Sequence, residues 1–161
     1  AAVAAAAVAA ATAAPADVVS RRGGNATARR LGCIAAAEAE IARAPDKDET
    51  FVTTTPAFKR DVARFFCSLS PGDLTVLELG VYHGHSTAVL AAAFGQVLAV
   101  DVEPQYLRAS AAHNTGRRNI VFMTMDTYSA DWGVLAATRV DAAVIDADHK
   151  YEKVRADAMN V

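Results

Sequence analysis

A small set of acids, glycines and histidines in this chain recurs at positions where chemistry could be done. In "VLELGVYHGHST", residues 76–87, an apolar run carries Glu78, turns through Gly80 and Gly84, and reaches the hydroxyls of Ser86 and Thr87. Asp101, Asp126 and Asp146 each close a later apolar run, in "QVLAVD", "FMTMD" and "AAVID". Glycines let a backbone approach a ligand closely, and a helix opening at Ser86 would present unpaired N–H groups to it. A carboxylate ending the second strand, here Asp101, can accept both hydroxyls of a ribose. Asp148, His149 and Lys150 follow Asp146 directly and add a possible proton acceptor. The pattern implies a nucleoside-containing ligand held along one rim.

Such a rim needs strands whose C-terminal ends lie together. The spacing predicts helices over 29–44 and from Thr55-Pro56 up to "SPGD" at 70–73, the second with Phe58, Val62, Phe65 and Phe66 on its apolar face. Strand and helix then alternate: "TVLELG", "STAVLAAAF" closed by Gly95, "QVLAVDV", "PQYLRASAAHN", "NIVFMTMD", a short helix around 131–138, "VDAAVID" and "HKYEKVRADAMN". Near-continuous apolar strands alternating with helices predict an α/β fold, a Rossmann-like doubly wound parallel sheet covered on both faces. Tyr151 and Val154 would pack the last helix onto that sheet, while Asp157, His113 and His85 read as solvated surface groups.

The 161 residues allow one domain with a substantial core. Three parts are expected: an alanine-rich leader over 1–28, a short helix and charged linker over 29–50, and the cofactor-binding domain over 51–161. The leader is too short and too weakly apolar for a stable membrane span. Its Ala14-Pro15-Ala16 has the small residues of a cleavage site, so a targeting segment stands beside a default cytoplasmic location. A net charge of −2 offers no basic field, and no nucleic-acid partner is expected. Cys33 and Cys67 lack CxxC spacing and read as two idle or buried thiols.

The glycine spacing separates two kinds of cofactor. Dinucleotide folds use G-x-G-x-x-G, and Gly80-Val-Tyr-His-Gly84 is one glycine short of it. The string "LELGVYHGHS" instead resembles the first motif of the class I S-adenosylmethionine-dependent methyltransferases, and most closely the catechol- and caffeoyl-CoA-type O-methyltransferases. "VDAAVIDADHKYE" is similar to that group's fourth-strand motif. The resemblance implies that Glu78, Gly80, Tyr82, Gly84 and Ser86 line the methionine part of S-adenosylmethionine. It further implies that Asp101 holds the ribose, that Asp126 lies near the adenine, and that Asp146 ligates a divalent cation such as Mg2+. In the resembled group the base is a lysine three residues after that aspartate. Here the third position is His149 and Lys150 comes one later, as in a broader D-x-D-H methyltransferase family. His149 is the preferred base and Lys150 the alternative, because imidazole titrates near neutral pH. The implied acceptor is a small-molecule hydroxyl.

The resembled fold has seven strands, and this chain reads as the part ending after the fourth. Two other functions stay open at this stage: a non-catalytic cofactor-binding module and an NAD-type oxidoreductase.

Overall fold

The structure, a computed structural model, describes residues 26–44, 54–69, 71–128, 131–135 and 138–161. The leader up to residue 25 and the charged loop at 45–50 lie outside the described residues. Among the described residues, five α-helices, α1 (Ala26–Arg43), α2 (Pro56–Ser68), α3 (His85–Ala93), α4 (Pro104–His113) and α5 (Tyr151–Asn160), join four strands. The strands are β1 (Thr75–Leu79), β2 (Gln96–Asp101), β3 (Ile120–Thr124) and β4 (Ala142–Ile145).

All four strands pair in parallel, in the order β3-β2-β1-β4. β1 pairs with β2 on one side and with β4 on the other, Leu77 facing Leu98 and Ala143. The sheet therefore reverses direction of growth at β1, and a crevice opens beyond its C-terminal end. Alternation within the strands feeds two cores. Val76, Val97, Ala99 and Val144 meet Phe66, Leu90 and Phe94 on one face, whereas Leu77, Leu79, Val100 and Ile145 meet Met125, Leu135 and part of α5 on the other. α3 is apolar on nearly all sides because it lies between the sheet and α1, where Val89 packs with Ala37, Ile41 and Ala63.

The α2 start follows the sequence closely. Thr55 accepts the Phe58 N–H at 3.1 Å and Pro56 occupies the first turn. Its buried face, however, is turned by about one residue from the expectation. Lys59, Ala63, Phe66 and Cys67 are buried, while Phe65 stands 48% exposed. A disulfide explains part of the rotation. Cys33 and Cys67 are joined, with their Cα atoms 5.7 Å apart, and draw that side of α2 against α1. The expectation of two idle thiols is corrected accordingly. A two-cysteine sequence gives no spacing from which to read a pairing between residues 34 positions apart.

Two expectations for the last helix are also corrected. Tyr151 is 76% exposed and packs nothing onto the sheet, a contact made instead by Ala158. Asp157 is fully buried, with Oδ2 3.5 Å from the Tyr128 hydroxyl.

Candidate functional site

A cleft of about 510 Å³ opens at the C-terminal rim of the sheet, a size suited to one small ligand. Its floor is the loop between β1 and α3. Gly80 and Gly84 take φ of +89° and +79°, the left-handed region that glycine adopts without strain. Tyr82 between them sits at φ +48°, a conformation of some cost for a residue with a side chain. It is held there by a stack on His83, ring centroids 4.0 Å apart, and by an edge contact with Tyr106 at 4.9 Å. A Cβ at Gly80 would strike the Asp146 carbonyl and approach Ala147 Cα to 2.6 Å. One at Gly84 would strike the Ser110 hydroxyl on α4 and come within 2.8 Å of Asn114 Nδ2. The glycines thus serve first to fit this loop between β4 and α4, and only through that to bring its backbone to a ligand.

Asp101 ties the loop down from β2. Its Oδ2 accepts the N–H groups of Val81 at 2.9 Å and Tyr82 at 3.2 Å, and Oδ1 accepts that of Glu103 at 2.9 Å. A carboxylate has about four lone-pair positions, so an oxygen edge remains for a further donor on the cleft side. Asp126, at the end of β3, is exposed in the cleft wall and its Oδ1 accepts the Tyr128 N–H.

Glu78 occupies a different place from Gly80, Tyr82, Gly84 and Ser86, which all line the cleft. It is 1% exposed beneath α3 and borders a small cavity behind the cleft, together with Thr54, Lys59, Ser86 and Asp146. Thr87 Oγ1 donates to its Oε2 at 2.6 Å, and Oε1 has no partner among the described residues. Burial pushes its carboxyl up to about 8, the Thr87 bond opposing this and the charges of Asp146 and Asp101 adding to it. Glu78 is therefore a neutral, buried acid at pH 7.

On the β4 side the structure brings Asp146, Asp148 and His149 into the cleft and leaves Lys150 out of it. Burial raises the Asp146 carboxyl above its ordinary range, with His149 and Lys59 pulling it back. Asp148 is held below the usual range by its bonds to Lys153 Nζ, at 3.0 Å, and to the Lys150 N–H, also at 3.0 Å. That second bond closes a turn just before α5. Lys153 also lies 4.2 Å over the Tyr128 ring. Burial, with the nearby charges of Asp157 and Asp148, pushes the Tyr128 hydroxyl up to about 12.

The donor set around Asp146 does not fit a divalent cation. Magnesium takes about six oxygen ligands in near-octahedral order. Asp146 instead has the Lys59 ammonium and the His149 ring beside it, and Asp148 is paired with Lys153. No three side chains of metal-ligating type come together among the described residues.

Two features escaped the sequence reading. Lys59 is 7% exposed and lines both the cleft and the cavity behind it. A lysine in phase with Ala63 and Phe66 on an apolar helix face was the available signal. His85 is half-buried, not simply exposed, with its ring 4.4 Å from that of His113.

A parallel sheet with its crevice at the β1 reversal, a glycine loop opening a helix, and acids following β2, β3 and β4 define a Rossmann-like α/β domain. The methyltransferase-domain family matches residues 77–161, more than half of the chain, and the protein belongs to that family. Among solved structures, EvdMO1 is 30% identical over 53% of this chain and 21% of its own, with a TM-score of 0.45. Its N-terminal domain with SAH bound is 27% identical over 52% of this chain and 35% of its own, at 0.43. The DhpI–SAH complex is 26% identical over 62% of this chain and 48% of its own, at 0.40. The chain thus spans less than half the length of each of these structures. No curated protein matches it.

Proposed function

We propose that this chain forms the S-adenosylmethionine-binding part of a methyltransferase that transfers the methyl group to a small-molecule hydroxyl. The observation that carries the reading is the bonding of Asp101 to the Gly80–Gly84 loop. One carboxylate fixes the two backbone segments between which a nucleoside joined to an amino-acid chain would lie. In this reading the ribose hydroxyls meet the remaining edge of Asp101, the adenine lies toward Asp126, and the thioether crosses the loop at Gly80 and Tyr82. The family membership and the SAH carried by two of the similar structures support the same cofactor.

Methyl transfer moves a carbon in line from a sulfonium to an acceptor oxygen, so alignment is the main demand. The acceptor must also lose a proton. His149 stands on the cleft rim beside the Asp146 carboxylate, which would stabilise the imidazolium formed as the proton moves. Lys150, outside the cleft, is set aside as the base.

Calorimetry tests the cofactor. Wild-type chain should bind S-adenosylhomocysteine and not NAD, and Asp101→Ala should weaken binding at least tenfold, as loss of charge-assisted bonds worth about 1.5–3 kcal/mol each requires. Tight NAD binding would favour an oxidoreductase instead. Turnover of a catechol panel, with and without magnesium, tests the acceptor class.

A further inference from the structure

The buried lysine on α2 has no part in the proposed methyl transfer, and its surroundings give it one. Lys59 lies in the first turns of α2, and its Nζ donates to the Thr54 carbonyl at 2.7 Å. This bond folds the ammonium back over the start of the helix. Thr54 Oγ1 lies 3.2 Å from Ser86 Oγ, which belongs to the first turn of α3 just beyond the glycine loop. Thr54, Lys59, Ser86 and Asp146 line both the cleft and the cavity behind it. One end of the cleft is therefore closed by a cation, two hydroxyls and a carboxylate drawn from three separate elements.

The strand order says which end of a ligand reaches this corner. Asp126, Asp101, the glycine loop and Asp146 follow β3, β2, β1 and β4, and at the usual strand spacing the outer two ends lie roughly 14 Å apart. A nucleoside placed at β3 and β2 leaves its amino-acid chain crossing β1 toward β4 and α2. That chain ends in a zwitterion. A buried charge is costly unless it faces an opposite one, and here the protein offers an ammonium and a carboxylate side by side.

We propose that Lys59 binds the carboxylate of the cofactor's amino-acid tail, with Ser86 and Thr54 flanking it and Asp146 facing the tail's ammonium. This deepens the S-adenosylmethionine reading and rests on it. The α2 helix, which precedes the region matched by the family, becomes part of the cofactor pocket.

Two probes that share a nucleoside and thioether separate the possibilities: S-adenosylhomocysteine, which carries the tail, and 5′-methylthioadenosine, which lacks it. Calorimetry on folded chain should show Lys59→Met weakening S-adenosylhomocysteine at least tenfold while leaving methylthioadenosine within about twofold, and Lys59→Arg restoring part of the loss. If the methionine variant fails to fold, Lys59→Gln, whose amide can still donate to the Thr54 carbonyl, takes its place. Equal weakening of both probes would make Lys59 a structural support and overturn the proposal, as would unchanged S-adenosylhomocysteine affinity. Binding of neither probe by the wild-type chain would overturn the cofactor reading itself.

Discussion

Replacing Glu78 with glutamine isolates the one carboxyl that the fold holds neutral. Its folded-state value is about 8 against an ordinary 4.5, the largest cause being complete burial. Because the folded state holds the proton more tightly, Glu78 adds stability that is fully present below about pH 4.5 and lost as pH rises to about 8. Linkage sets the slope at about 1.4 kcal/mol per pH unit inside that window. From pH 6 to pH 8 the wild-type chain should thus lose up to about 3 kcal/mol through this group. Glutamine keeps the shape, and its carbonyl can still accept the Thr87 hydroxyl, yet it cannot titrate. Every other ionisable group is common to the two proteins, and all but Asp146 and Asp101, whose charges act on Glu78, cancel in the difference. Urea unfolding of both at half-unit intervals from pH 5 to pH 9 should show Glu78→Gln gaining steadily on wild type and levelling off above pH 8. A difference that stays flat between pH 6 and pH 8 would refute the reasoning, and with it the picture of a protonated acid beneath α3.

Three further outcomes follow from the geometry. Gly80→Ala and Gly84→Ala should each cost about 2–4 kcal/mol in urea unfolding, because both take positive φ and the new Cβ meets backbone at Gly80 and the buried Ser110 Cβ and hydroxyl at Gly84. Reduction of Cys33–Cys67, or the double alanine variant, should lower stability by about 3–4 kcal/mol, the loop-entropy value for a closure of this length; equal unfolding midpoints with and without dithiothreitol would contradict it. With any acceptor that turns over in the catechol panel, His149→Ala should lower the rate roughly a hundredfold and remove the acidic limb of the pH profile, leaving S-adenosylhomocysteine affinity unchanged.

The strands were legible because a sheet covered on both faces demands unbroken apolar runs, and the runs of β2, β3 and β4 each end in an acid that the topology carries to the rim. The glycine loop was legible for a similar reason, since few residues tolerate its torsions. Its sequence does not say what presses on the glycines, which proved to be β4 and α4. Packing between helices was harder to read. The face of α2 turned by a residue because a disulfide and a buried lysine, rather than Phe65, face inward. Asp157 and Glu78 show the same limit from another side: an acid reads as solvated or ligand-facing until neighbouring elements close over it. Lys59 joined the site through α2, an element with no motif of its own.

The strand order also divides the site by chain separation. The glycine loop, Asp101 and Asp126 lie within one continuous stretch from β1 to β3, each strand pairing with the next one along the chain. The other half is assembled from a distance, since β4 returns to pair with β1 at Val76–Ala142 and α2 comes from upstream. Contacts between neighbours in sequence form early and cheaply, whereas such closures form late and open first. An intermediate with β4 and α5 detached would keep the nucleoside half of the cleft and lose the corner at Asp146. Hydrogen exchange should show it as amides of β4 and α5 exchanging well before those of β1 and β2. On the proposed binding mode, that state would still recognise adenosine but would no longer distinguish a ligand that carries an amino-acid tail from one that does not.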